Sequence, residues 1–224
     1  SATVTVCASD LASNQGCSVL KVEKQLPCVS IERPTQNTIV SRPSVNLRIT
    51  TCDGVNRIDI QVNENTPIGR TLEALVFEET IGIEDGHNTI KVTAHNDQLE
   101  EQAEAQTIVI RDATPPEVRF TKPIAMDNTP ICTNREVQIC AVATDDDLLA
   151  YSELGLERGI SQMRLGTEEI PSNEISNAPI CRQFRLNDGE NVAFTASATN
   201  LADVTTTSEL RLNIDSIPPS IQFD

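Results

Sequence analysis

Two short motifs recur in this chain at a single spacing, and that repetition limits what it can fold into. Asp85-Gly-His-Asn-Thr-Ile-Lys-Val-Thr-Ala94 returns as Asp188-Gly-Glu-Asn-Val-Ala-Phe-Thr-Ala196. Downstream, Arg111-Asp-Ala-Thr-Pro-Pro-Glu-Val-Arg-Phe120 returns as Ile214-Asp-Ser-Ile-Pro-Pro-Ser-Ile-Gln-Phe223. Gly86 and Gly189 lie 103 positions apart, and so do Pro115 and Pro218. Two motifs that keep one offset mark a repeated structural unit. A partial earlier copy is visible in Val4-Thr-Val-Cys-Ala8 and in Leu26-Pro-Cys-Val-Ser-Ile-Glu-Arg-Pro34, with Pro27 preceding Pro116 by 89 positions.

The unit reads as all-β. Val45, Leu47, Ile49 and Thr51 alternate with polar neighbours, as do Ile58, Ile60 and Val62, and then Ile90, Val92 and Ala94. The later unit repeats the pattern at Val137, Ile139, Ala141 and Ala143, at Met163 and Leu165, at Phe184 and Leu186, and at Val192, Phe194 and Ala196. A period of two buries one face and wets the other, as in antiparallel sheets. Gly, Asn, Asp and Pro punctuate the runs at the spacing of a sandwich. About seven strands per unit predict two sheets packed face to face. One stretch, Asp147–Arg158, has helical character and reads as an insertion between strands.

Charge removes several function classes. With 17 basic and 33 acidic residues the net charge is −16, which opposes the basic face that nucleic-acid binding requires. Runs such as Ala74–Phe77 fall far short of the roughly 20 apolar residues of a membrane span. Five Phe, one Tyr and no Trp cannot furnish aromatic stacking platforms as well as a core.

A Pro-Pro-led first strand, a late Asp-Gly-x-Asn turn into an alternating strand, and units near 90–100 residues resemble bacterial immunoglobulin-like repeats, the tandem β-sandwich modules of surface proteins and adhesins. The resemblance covers nearly the whole chain. It implies a non-enzymatic, extracellular spacer or adhesive role in a bacterial surface protein, with neighbouring units of the same longer chain as partners. The chain departs from antibody domains in lacking a core Trp and their inter-sheet cysteine pattern.

The phase of the repeat predicts the domain layout. Residues 1–26 hold the last two strands of a preceding unit, 27–114 and 115–217 form two units, and 218–224 begin another, with an insertion at 145–160 in the second full unit. A two-stranded ribbon is marginal alone. Either the chain is a window on a longer tandem array, or partner chains supply the missing strands and build a fibre by strand addition.

Seven cysteines point to an oxidising compartment. Strand parity predicts Cys7–Cys17 across a hairpin, Cys28–Cys52 between the start of one strand and the end of the next, and a surface cross-strand bridge Cys140–Cys181. Cys132 is left over, as an intermolecular joint, a buried free thiol or a member of a different pairing. No Cys-x-x-Cys occurs and the two His do not cluster with cysteine, so no zinc site is expected.

The candidate metal ligands are Asp145, Asp146 and Asp147, adjacent carboxylates that calcium would bridge. Asp112 and Glu117, with Asp85 or Asp188, form a second acidic candidate at the junction between units. Their ordinary reading is a solvated acidic surface. No nucleophile elbow or phosphate loop accompanies His87 or His95, so no catalytic residues and no cofactor are expected. Three roles follow: a stiff structural rod, a subunit of an extracellular fibre, or an adhesin that binds through the 145–160 loop.

Overall fold

The computed structural model describes residues 2–22, 26–98, 100–124, 131–145, 159–218 and 220. It is all-β, built of antiparallel sheets that form sandwich-like domains. The chain divides into two compact units, one drawn from Ser1–Gln36, Val45–Ile81 and Thr89–Ile108, the other from Asn37–Ser44, Gly82–Asn88 and Val109–Asp224.

The first two strands, β1 (Ala2–Ser9) and β2 (Gln15–Val22), form an antiparallel hairpin with Cys7 opposite Cys17. Alternation puts Val4, Val6 and Ala8 on one face and Thr3, Thr5 and Cys7 on the other. Val4, Val6 and Leu20 are all exposed in this two-stranded ribbon.

The strands that follow form two sheets. One has the order β3 (Val29–Arg33), β5 (Ser44–Thr51), β8 (Val76–Gly82); the other has β4 (Thr38–Val40), β10 (Glu101–Arg111), β9 (Gly86–Asn96), β6 (Arg57–Val62), β7 (Ile68–Thr71). The alternating residues do what their period demands: Leu47, Ile49, Ile58, Ile90 and Val92 are fully buried. Each such aliphatic side chain contributes about 2 kcal/mol of transfer free energy.

The second pair of sheets repeats the arrangement. β11 (Glu117–Lys122), β13 (Glu136–Thr144) and β16 (Ile180–Arg185) form one sheet. The other has the order β12 (Ile131–Thr133), β18 (Thr205–Ile214), β17 (Gly189–Asn200), β14 (Ile160–Leu165), β15 (Glu168–Ile170). Ile139, Met163, Leu165, Ala196 and Leu212 lie in its core. Phe194 meets Phe120 and Phe184 edge to face, with ring centroids 6.3 and 4.7 Å away.

Several features differ from the sequence expectations. β4 and β12 pair in parallel with β10 and β18, each after the first strand has crossed to the other sheet. Three residues are too few for periodicity to reveal them. The Arg33–Pro34 and Lys122–Pro123 bonds, directly after β3 and β11, are both cis, at equivalent repeat positions. The predicted surface position of Cys140 is wrong. Although it faces away from Val137 and Ile139, it is buried, as is Val142, because β13 is the central strand between β11 and β16. The two Asp-Gly turns also diverge: Gly86 takes a left-handed backbone at φ 85°, whereas in the second copy Asn191 does so at φ 56°. The expected helix at Asp147–Arg158 falls entirely outside the described residues, as does most of the expected strand at 218–224.

Candidate functional site

The most constrained polar residues surround the segment between β10 and β11. Asp112 is its first residue, and its N–H donates to Val40 O at 2.9 Å. Its Oδ1 accepts the Thr114 N–H at 2.9 Å, closing a local turn. Its Oδ2 accepts Nδ2 of Asn200, also at 2.9 Å. Both side chains are buried, Asp112 at 1% and Asn200 at 0% exposure. Asn200 completes its bonding with a second donation, to Thr114 O at 3.0 Å, and two acceptances at Oδ1, from Ala202 N and Val204 N at 3.0 and 2.9 Å. Every donor and acceptor of the amide is therefore used. A buried carboxylate is tolerable only when hydrogen-bonded in this way. Residues 112–114 are thus tied to the turn between β17 and β18.

Sequence reasoning did not single out Asn200. A signal was present, because each copy opens the turn of its last hairpin with Asn or Asp: Asp10-Leu-Ala, Asn96-Asp-Gln and Asn200-Leu-Ala. The caps agree. Asp10 Oδ1 accepts the N–H groups of Ala12 and Asn14 at 2.9 Å, and Asn96 Oδ1 accepts that of Gln98 at 3.1 Å.

The other junction acids are held by cations and hydroxyls. Asp85 pairs with Arg111 at 2.9 Å. Asp188 pairs with Arg135 at 2.7 Å and accepts the Ser216 hydroxyl at 2.8 Å. The Arg135 guanidinium, followed by Ser216, holds the Asp188 carboxyl below its ordinary range. Glu117 is exposed on β11. The structure does not bring these acids together into one ligand set.

Asp145 is buried, beside Gly159; a Cβ at position 159 would lie 2.6 Å from the Asp145 Cβ. Asp146 and Asp147 are outside the described residues. Among the described residues, no group of three or more His, Cys, Asp or Glu side chains is placed to hold a metal.

The structure brings six cysteines together as Cys7–Cys17, Cys28–Cys52 and Cys140–Cys181, with Cα separations of 4.0, 5.4 and 4.0 Å. Cys132 is a free thiol, exposed on β12. Three disulfides fit an oxidising compartment.

His95 Nε2 lies 2.9 Å from Asp59 Oδ2, an outward-facing cross-strand contact. Two clefts, of about 210 and 260 Å³, are lined by residues such as His95, Asp97 and Glu100, and Thr71, Glu73 and Phe77. Both are smaller than the roughly 300 Å³ at which ligand pockets begin. No described helix is long and apolar enough to cross a membrane.

These antiparallel sheets define tandem all-β, sandwich-like domains. No protein-family model and no curated protein matches the chain. Among solved structures, it is similar to the fibronectin(III)-like modules of Clostridium thermocellum CbhA, at 19% identity and a TM-score of 0.47 over 88% of this chain and 100% of that one. It is also similar to Rst D1-D2, at 12% identity and a TM-score of 0.42 over 85% of this chain and 100% of that one. A titin A168–A169 structure aligns at 9% identity and a TM-score of 0.34 over 84% of this chain and 99% of that one. The sandwich assignment rests on the sheets themselves.

Proposed function

We propose that this chain is a non-enzymatic structural segment of a secreted or cell-surface bacterial protein, in which tandem immunoglobulin-like modules form a stiff extracellular rod. The observation that carries this reading is the buried bond between Asp112 of the linker and Asn200 of the following sandwich. A linker that merely tethers two domains leaves its polar groups to water; this one gives up a solvated carboxylate for a fixed partner. Pro115 and Pro116 add to the restraint, since proline fixes its own φ and narrows its predecessor's. The disulfides support modules that are poor in aromatic core residues and lie in an oxidising environment. A net charge of −16 keeps such a surface from self-associating.

A fibre-forming subunit is the second reading, favoured by the exposed apolar face of β1–β2 at Val4, Val6 and Leu20 and by the exposed thiol of Cys132. Electron microscopy of the native material separates the two. Isolated thin rods support the structural spacer, whereas regular fibres that dissolve on reduction support assembly through Cys132. Compact single particles would defeat both.

A further inference from the structure

We propose that Asp215 is a docking point for a further β-sandwich module of the same polypeptide, one whose last hairpin turn opens with Asn. The inference rests on the tandem-array reading and names the partner that one end of the array accepts.

Asp215 repeats two hydrogen bonds that Asp112 makes, one through its N–H and one through its Oδ1. Each is the residue directly after the last strand of its sandwich, β10 for Asp112 and β18 for Asp215. The N–H of each donates to the short parallel strand beside it: Asp112 to Val40 O at 2.9 Å, Asp215 to Thr133 O at 3.0 Å. The Oδ1 of each accepts the N–H two residues on, from Thr114 and from Ile217, both at 2.9 Å. The same spacing of 103 positions separates the two Pro pairs that follow.

The exposure of the two carboxylates differs. Asp112 is 1% exposed and bonded to Asn200, whereas Asp215 is exposed and Ile217 nearby is 77% exposed. The chain therefore presents one such carboxylate that Asn200 occupies and one exposed copy of it.

The acceptor also specifies its partner. A carboxylate oxygen needs a donor, and the three turns of this chain differ on that point. Asn200 supplies Nδ2, and Asn96 has the same amide. Asp10 caps its turn equally well but has no donor, and its Oδ2 is taken by Asn14 Nδ2 at 2.9 Å. A turn opening with Asp would set carboxylate against carboxylate at Asp215. A turn opening with Asn completes the joint.

The test extends the full chain after Pro219 with a second copy of residues 117–217 and measures distances between spin labels on non-canonical residues at Arg164 of both copies. The expected result is one narrow distance distribution. Asn200→Asp in the added copy should broaden it at least twofold, and adding Asp215→Asn should restore it by exchanging donor and acceptor. The turn itself survives the change, as Asp10 shows, and an unchanged melting curve of the added sandwich verifies this. A width insensitive to Asn200→Asp, or one that the exchange does not restore, overturns the proposal. So does self-association of the unextended chain that Asp215→Asn abolishes, which would assign the site to a separate molecule. The parallel measurement between the existing sandwiches separates the two ideas. If Asn200→Asp broadens that distribution while Asp215 has no effect, the docking claim fails and the array reading stands. If the existing sandwiches are already unrestrained, the stiff-array reading fails as well.

Discussion

Asn200 Nδ2 and Asp112 Oδ2 share a buried hydrogen bond of 2.9 Å between residues 88 positions apart in sequence. Asn200→Ala would strip the turn of its cap and leave the Asp112 carboxylate buried without its amide. The expected loss is about 3 kcal/mol, since a bond to a charged group is lost and a buried acceptor is left unsatisfied. Asn200→Asp should keep the cap, because Asp10 accepts the corresponding N–H groups. The exchange Asp112→Asn with Asn200→Asp should recover most of the loss. Urea denaturation of the four chains checks this, and equal stability of the single and exchanged variants would show that the pair is not coupled.

Cys140 and Cys181 stand opposite one another on β13 and β16, closing a separation of 41 residues, against 10 for Cys7 and Cys17. Chain-entropy reasoning gives about 4 kcal/mol for the longer loop and about 3 kcal/mol for the shorter. Cys140→Ala with Cys181→Ala should therefore lower the melting temperature of the second sandwich by several degrees. Calorimetry should find the β13–β16 pair more costly to remove than Cys28–Cys52, whose separation is 24 residues.

Cys132 is exposed on the edge strand β12 and carries the free thiol found among the described residues. Alkylation of the native, unreduced chain should add a single equivalent, mapped to Cys132 by peptide mass, and denaturation without reductant should add no more. Three or more equivalents under those conditions would contradict the disulfide framework.

Asp188 titrates below the ordinary carboxylate range because Arg135 and then Ser216 donate to it. Its folded pKa lies below its unfolded one, so its stabilisation is present above the unfolded pKa of about 4 and is lost as pH falls through the lower folded value. Removing the guanidinium with Arg135→Gln should move the Asp188 carboxyl resonance titration upward and flatten that part of the acid limb. An unmoved titration would show that Arg135 does not hold Asp188 in solution.

The strands that carry long alternation were legible from sequence, because Leu47, Ile49, Ile90 and Val92 must all face inward for the period to bury them. The repeat made the second set of sheets predictable from the first. What escaped was contact between distant residues. β4 and β12 have three residues each and no period, and their parallel pairing depends on where the chain crosses between sheets. Strand parity puts Cys140 on the correct face, but burial on that face depends on strand order, which parity does not encode. Asn200 looked like any turn residue, and only the fold reveals that Asp112 lies against it.

Residual dipolar couplings on the intact chain test the central claim most directly, since they report whether two sandwiches share one orientation in solution. Couplings from the strands β5, β6 and β9 and from β13, β14 and β17 should fit a single alignment tensor in the unaltered chain, and two distinct tensors in the Asn200→Asp variant. Independent tensors in the unaltered chain would contradict the account, because the Asp112–Asn200 bond would then hold a linker without stiffening the array.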